Sequence, residues 1–336
     1  MIYRKSKIPI IAIAASMLGA CATAQNDTQL DQEEFRLCLN QLRVAATQES
    51  ISYDTFEAMT APLTPLPSVL AKLNAQPEVR LSTSQYLDHL IDERRVWTGV
   101  QAMQDNQETL IKVQEVYGIP VSTITAVWGI ESRYGTFTGK KDIAQSLATL
   151  SCKGRRQPFF RKELFSLMRI TQRGDLPSGG ILGSWAGAFG QTQFMPSTYE
   201  KLAVDFDGDG KRDLISSTPD ALASTANFLK KAGWMSGKPW GMEVQASAAA
   251  LESSQGRKDK RSATIWSDLG VKKKEGSALE FDWPDSALIA PDGPEGKAYL
   301  VTKNFDAIYK YNASVSYALA ISILSDKLEQ NAKVAQ

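Results

Sequence analysis

Histidine is nearly missing from this chain of 336 residues: the sole one is His89. A zinc site built on several histidines is therefore excluded, and so is catalysis by a histidine pair. A Ser-His-Asp triad would have to use His89, which lies in the helical pattern Tyr86 to Ile91 and reads as a structural residue. Charge of one sign is also lacking. The 38 basic and 37 acidic residues give a net charge of +1, so no nucleic-acid partner is expected. Hydrophobic residues make up 43% and charged residues 22%, the balance of an ordinary globular protein. No internal repeat or extended low-complexity tract is present.

Long apolar runs are confined to the start. Arg4, Lys5 and Lys7 precede a stretch from Ile8 to Leu18, which is too short to span a bilayer but suits a signal peptide over residues 1–20. Without those three residues the 38 basic side chains become 35, against 37 acidic, a balance of −2. Leu18-Gly19-Ala20-Cys21 resembles a bacterial lipobox, which makes Cys21 a lipidation candidate. Ala22-Thr23-Ala24 instead resembles an ordinary signal-peptidase site. Cysteine is scarce too. Beyond Cys21 only Cys38 and Cys152 remain, either a disulfide, as exported proteins favour, or two buried thiols.

Residues 21–30 read as a tether, and helical periodicity begins near Glu33 with Phe35, Cys38, Leu39, Leu42 and Ala46. Four prolines make residues 60–80 read as irregular, and helical patterns return from Gln85 to Val116. Residues 236–302 are richer in Gly, Pro, Ser and Lys, with short strand candidates at Met242–Val244 and Ala298–Val301. A last helix is expected from Ser314 to about Leu328.

The segment Gly118 to Gly135 reads as one helix, with Pro120 in its first turn and Gly135 as its stop. Ile124, Val127 and Trp128 share a face with Glu131. A carboxylate on a buried apolar face has its charged form disfavoured, so its pKa rises, as a general acid requires. The bland alternative is a glutamate at a frayed helix end, turned to solvent or paired with Arg133. A sugar-cleaving acid protonates the glycosidic oxygen, and most glycosidases need a second carboxylate. No partner stands at a fixed spacing, although Asp142, Glu163 and Asp175 follow. Further on, Asp205, Asp207, Asp209 and Gly210 occupy positions 1, 3, 5 and 6 of an EF-hand-like loop. Lys211 offers a carbonyl at position 7, but Ser216 replaces the usual glutamate at position 12. Asp213 or Asp220 would supply the missing oxygens. The alternative is a solvated acidic turn.

Several blocks, in order, resemble the lytic murein transglycosylase B family. They are Glu131-Ser132-Arg133-Tyr134-Gly135, the run Gly183-Ser184-Trp185 to Met195-Pro196-Ser197, the loop from Asp205 to Gly210, and Tyr311-Asn312-Ala313-Ser314-Val315-Ser316-Tyr317-Ala318. The similarity runs from about Phe35 to Leu328. It implies a mainly α fold of α+β class: a lysozyme-like core at 117–235 carrying the EF-hand-like loop, a helical domain at 31–116 completed by a C-terminal helix at 303–330, and a small β-containing domain at 236–302. It implies an enzyme that cuts peptidoglycan between N-acetylmuramic acid and N-acetylglucosamine, with Glu131 as acid and then base and a 1,6-anhydromuramoyl end as product. The muramic acid's own hydroxyl would replace water, which explains the missing second carboxylate. Sugar contacts would fall on Ser184, Gln193, Phe194, Tyr311, Asn312 and Tyr317, with Tyr134 beside them. Read without the family, Phe194 is core and Asn312 equally suits a cap of the last helix.

The resemblance further implies a structural calcium on Asp205, Asp207, Asp209, Lys211 and Asp220, with Asp220 better suited than Asp213 to the family's longer loop. No organic cofactor is expected. The partners would be peptidoglycan strands, acted on by a monomer in the periplasm. Ala22, not being Asp, would let a lipidated Cys21 reach the outer membrane. No separate wall-binding domain is expected. A muramidase and a non-catalytic wall-binding scaffold are the rival readings.

Overall fold

The structure, a computed structural model, describes residues 30–74 and 81–334. The signal segment, Cys21 and nearly all of the tether lie outside the described residues.

The described residues open with α1 (Gln32–Gln48), whose N-cap Asp31 accepts from the Glu34 N–H and whose buried stripe is Phe35, Leu42 and Ala46. Next come α2 (Tyr53–Thr60) and α3 (Pro67–Asn74). The latter corrects the expectation of an irregular 60–80: Pro67 is the first residue of a helix, where its missing N–H costs nothing, and Val69 and Leu70 are fully buried. Three helices follow, α4 (Thr83–Leu90), α5 (Glu93–Asp105) and α6 (Gln107–Tyr117). A capping box between Ser82 and Gln85 starts α4, and Gly118 in the left-handed region ends α6. His89 is exposed in the last turn of α4.

The middle of the chain runs α7 (Val121–Ser132), β1 (Lys141–Asp142), α8 (Ile143–Cys152), α9 (Gln157–Gln172), β2 (Leu182–Gly183), α10 (Pro196–Leu202) and α11 (Thr218–Lys231). The remainder is β3 (Gly241–Gln245), α12 (Ala248–Ser253), α13 (Ala263–Asp268), β4 (Lys272–Lys273), β5 (Ala287–Ile289), β6 (Ala298–Val301), α14 (Lys303–Asn312) and α15 (Val315–Val334).

Three apolar cores organise these elements. One gathers side chains of α4 to α7, α11, α14 and α15 around Ile124, Trp128, Phe305 and Leu324. A second joins α1 to α3 with α8 to α10 around Phe35, Leu147, Phe160 and Phe189. The third belongs to the small sheet and is centred on Trp266, Leu288 and Leu300. The expected unit 31–116 is therefore split: α1 to α3 pack in the second core, while α4 to α6 pack in the first with α7 and α15. The reason is covalent as well as apolar. Cys38 and Cys152 form a disulfide, with a Cα separation of 5.7 Å, that ties α1 to the end of α8.

Residues 236–302 carry an antiparallel sheet of order β4-β3-β6-β5. Met242 pairs with Leu300 and Leu288 pairs with the same residue from the other side. A second, two-stranded ribbon pairs Lys141 with Gly183 and Asp142 with Leu182. It brings the motif block 183–197 next to the end of α7. Among the described residues, no helix is long and apolar enough to cross a membrane.

Candidate active site

Helix α7 is buried almost all round: every residue from Ser122 to Gly129 is buried, not one stripe alone. It is the central helix of the first core, packed on α5, α6, α11 and α15. The helix stops at Ser132. Arg133 and Tyr134 both adopt left-handed backbone at φ 53° and 58°, and Gly135 follows at φ 81°. The Ser132 hydroxyl accepts from the Gly135 N–H and closes this turn. Glu131 thus stands at the last turn of a rigid rod, just where the rod meets a cleft.

That cleft has a volume of about 460 Å³, and Glu131, Ser184, Trp185 and Gln193 are among the residues lining it. Among the described residues, Glu131 is the only carboxylate on its walls. Burial pushes the Glu131 pKa up to about 7, against a smaller lowering by its bond with Tyr317. The Tyr317 hydroxyl donates to Glu131 Oε1. Tyr317 is itself buried, and its ring stacks on Tyr311 at 6.3 Å between centroids with planes 18° apart. The Tyr311 hydroxyl donates to the Thr192 carbonyl at 2.7 Å. A chain of support therefore runs from the backbone of the motif block through Tyr311 and Tyr317 to the acid.

Of the expected sugar contacts, Ser184 and Gln193 line the cleft beside Glu131. Gln193 is in left-handed backbone at φ 50°, and its side-chain N–H donates to Thr138 and Gly190 carbonyls at 2.9 Å each. The Ser184 hydroxyl accepts from the Ala188 N–H. Two other assignments need correction, and the cap alternative for Asn312 falls. Phe194 is 1% exposed and sits in the core, where it packs against Phe228 and Tyr311 rather than facing sugar. Tyr134 is turned inward, its ring edge-on to Trp128 and its hydroxyl donating to the Arg95 carbonyl at 2.8 Å. Asn312 is exposed at the end of α14 and does not cap the last helix. That role falls to Ser314, whose hydroxyl accepts from the Tyr317 N–H. Tyr311 and Tyr317 stand behind the acid.

Sequence reasoning passed over Trp185 and Phe137, which line the cleft, and Tyr86 on α4. The Tyr86 hydroxyl is raised in pKa by burial and then by the Glu131 charge. Phe137 carried a signal: a large aromatic just beyond a catalytic motif, here 52% exposed. Tyr86 carried none, since one tyrosine on an amphipathic helix reads as packing.

The acidic loop lies behind the motif block. Ligand oxygens of Asp205, Asp207 and Asp209 converge within 4.8 Å of one another, and all three residues are exposed. Asp220 does not join them. It is buried, and its two oxygens accept from the Phe206, Asp207 and Asp213 N–H groups, so it closes the base of the loop. Lys211 enters through its N–H, which donates to Asp209. The loop also reaches the cleft: the Gln191 N–H donates to the Leu214 carbonyl at 2.8 Å, two residues from Gln193.

Residues 34–326 match the family described as the transglycosylase SLT domain. The chain belongs to this transglycosylase family. It is 33% identical over 239 residues to membrane-bound lytic murein transglycosylase B of Escherichia coli strain K12, an alignment covering 70% of this chain and 64% of that protein. The matched part thus spans under two thirds of that relative. Pseudomonas aeruginosa SltB3, solved in complex with NAG-anhNAM-pentapeptide, is 39% identical and superposes with a TM-score of 0.84, covering 88% of this chain and 79% of that one. Escherichia coli Slt35, solved in complex with calcium, is 26% identical with a TM-score of 0.76, covering 92% and 98%. As a member of the transglycosylase SLT family, the chain has a mainly helical α+β fold with a lysozyme-like core.

Proposed function

We propose that this transglycosylase-family chain is a lytic transglycosylase of peptidoglycan. Its substrate is the β-1,4 bond between N-acetylmuramic acid and N-acetylglucosamine. The observation that carries the reading is Glu131: one carboxyl in the cleft, protonatable near pH 7, and held by a buried tyrosine. The glycosidic oxygen takes the Glu131 proton as the C1–O4 bond breaks, and the N-acetylglucosamine leaves with a 4-hydroxyl. The muramic acid's 6-hydroxyl then bonds to its own C1 and returns its proton to Glu131. No water is consumed, and the new end is 1,6-anhydromuramoyl. The lack, among the described residues, of a second carboxylate on the cleft walls supports this closure over hydrolysis.

Ser184 and Gln193 are the groups best placed to hold the sugars, and Trp185 offers a ring for a sugar face. Tyr317 positions the acid. The division of labour is a core at 117–235, framed by α1 to α3 on one side and by α4 to α6 with α14 and α15 on the other, and an accessory β unit at 236–302. Asp205, Asp207 and Asp209 fit a calcium ion by chemistry, since three close carboxylates repel until a cation neutralises them. The ion would brace the turn that carries Gln193. For location we favour the periplasm, with Cys21 lipidated at the outer membrane. Mass spectrometry that finds a free Gln25 terminus removes the anchor.

The test of the reaction is the product spectrum of purified peptidoglycan. Wild type should release fragments lighter by one water than reducing-end fragments, and Glu131→Gln should cut turnover by about 10²-fold or more. Sacculus digestion left intact in Glu131→Gln would end the catalytic assignment, and reducing ends from wild type would make the enzyme a muramidase.

A further inference from the structure

The cleft wall carries a second chemistry that the proton transfer does not use. Lys72, Lys140 and Lys141 line the same cavity as Glu131. They arrive from two separate elements. Lys72 comes from the last turn of α3. Lys140 and Lys141 lead into the ribbon strand β1, where Lys141 pairs with Gly183, the residue before Ser184. The Lys141 ammonium donates to the Ser68 hydroxyl at 3.2 Å, and Ser68 lies one helical turn before Lys72, so the two elements meet at this point. The Lys140 ammonium sits 5.9 Å from the centre of the Phe137 ring, another cleft residue. Among the described residues, none of the three lysines makes an ion pair.

Three cations drawn to one cavity repel each other, and the one acid that the described residues place on its walls is needed for proton transfer. Such a cluster is stabilised when an anion enters. The glycan of stem-bearing strands supplies none, since N-acetylated sugars are neutral and the muramoyl lactyl carboxyl is tied up as an amide. A peptide joined through its amino end to the muramoyl lactyl group ends in a free carboxylate. We propose that Lys72, Lys140 and Lys141 recognise carboxylates of the peptide stems on the glycan, which makes this cleft selective for strands that still carry acidic stems. The proposal rests on the peptidoglycan reading above and adds to it which strands are preferred and which side chains choose them.

The experiment compares kcat/KM on three glycan preparations: stem-bearing strands, strands stripped of peptide by an amidase and with the freed lactyl carboxyls then converted to amides, and stem-bearing strands whose own carboxylates have been converted to amides. Wild type should favour the free-acid stems over both others. The double variant Lys72→Gln/Lys140→Gln should lose about 10-fold on free-acid stems, mainly through KM, and at most about 3-fold on stripped strands. Lys72→Arg/Lys140→Arg should recover most of the preference, because it keeps the charges. Equal losses on stripped and stem-bearing strands would overturn the proposal, as would wild type that turns over amidated and free-acid stems alike. Wild type that forms no anhydro ends from any preparation would overturn the reaction itself.

Discussion

At the scale of the residue, the decisive number is the Glu131 pKa near 7. A general acid works only while protonated, so kcat/KM should fall as pH rises through about 7. Tyr317 shifts that limb in a known direction. Its bond favours the carboxylate and lowers the pKa. Tyr317→Phe should therefore move the alkaline limb upward while cutting turnover through a poorly held acid. A limb that stays put would mean that Tyr317 does not act through Glu131. Stability follows the same course. The folded pKa lies above the ordinary value of 4.5, so the native state keeps its proton longer, and its advantage is present below about pH 4.5 and lost as pH rises through about 7. Glu131→Gln removes that loss. The variant should melt with wild type near pH 4 and be more stable by about 1–3 kcal/mol at pH 8, read by thermal denaturation across pH. Glu131 was legible in the sequence because a carboxylate among Ile124, Val127 and Trp128 is out of place. Phe194 and Tyr134 were misjudged because a motif marks which backbone lies near a site, not which way each ring turns.

Among the elements, α7 shows what periodicity conveys and what it hides. A helix ending near Glu131 was plain from Pro120 and Gly135. That it is buried on all sides was not, since small polar residues such as Ser122, Thr123 and Thr125 read as surface; here Thr123 and Ser122 bond Ser325 across to α15. Helix α3 was hidden by the prolines around it, because the reading treated Pro67 as a breaker rather than a starter. Strands β3 and β6 were visible as short apolar runs, but their pairing with β4 and β5 depends on contacts remote in sequence. Gly129 gives a sharper test of the site's frame. A Cβ there would lie 2.6 Å from the Tyr134 ring, whose place is fixed by Trp128 and the Arg95 carbonyl. Gly129→Ala should cost about 1–3 kcal/mol in urea unfolding and reduce activity as well, because Glu131 lies two residues further along the same rod. Unaltered stability would show that the Tyr134 ring yields freely.

For the molecule as a whole, stability depends on ties between parts that the chain order separates. The Cys38–Cys152 bond closes a loop of 114 residues, worth about 5 kcal/mol by loop entropy alone. Reduction should lower the melting temperature, and Cys38→Ser/Cys152→Ser should do the same. The acidic loop makes a second tie. Its end at Leu214 holds Gln191, its base is clasped by Asp220, and Ser217 donates to Asp207 at 2.7 Å. Bound calcium would fix this assembly and, through it, the turn at Gln193. It would leave the Tyr317–Glu131 pair untouched, because Asp205, Asp207 and Asp209 line no part of the cleft. Calcium should therefore raise the melting temperature by a few degrees, since about 1 kcal/mol shifts a domain of 150–250 residues by about 2–4 °C. Asp205→Asn/Asp207→Asn should abolish that rise, and the position of the pH limb should stay the same in both proteins. A melt indifferent to calcium and chelator would make the cluster a plain acidic turn, and a limb that moves with calcium would place the ion's influence inside the cleft.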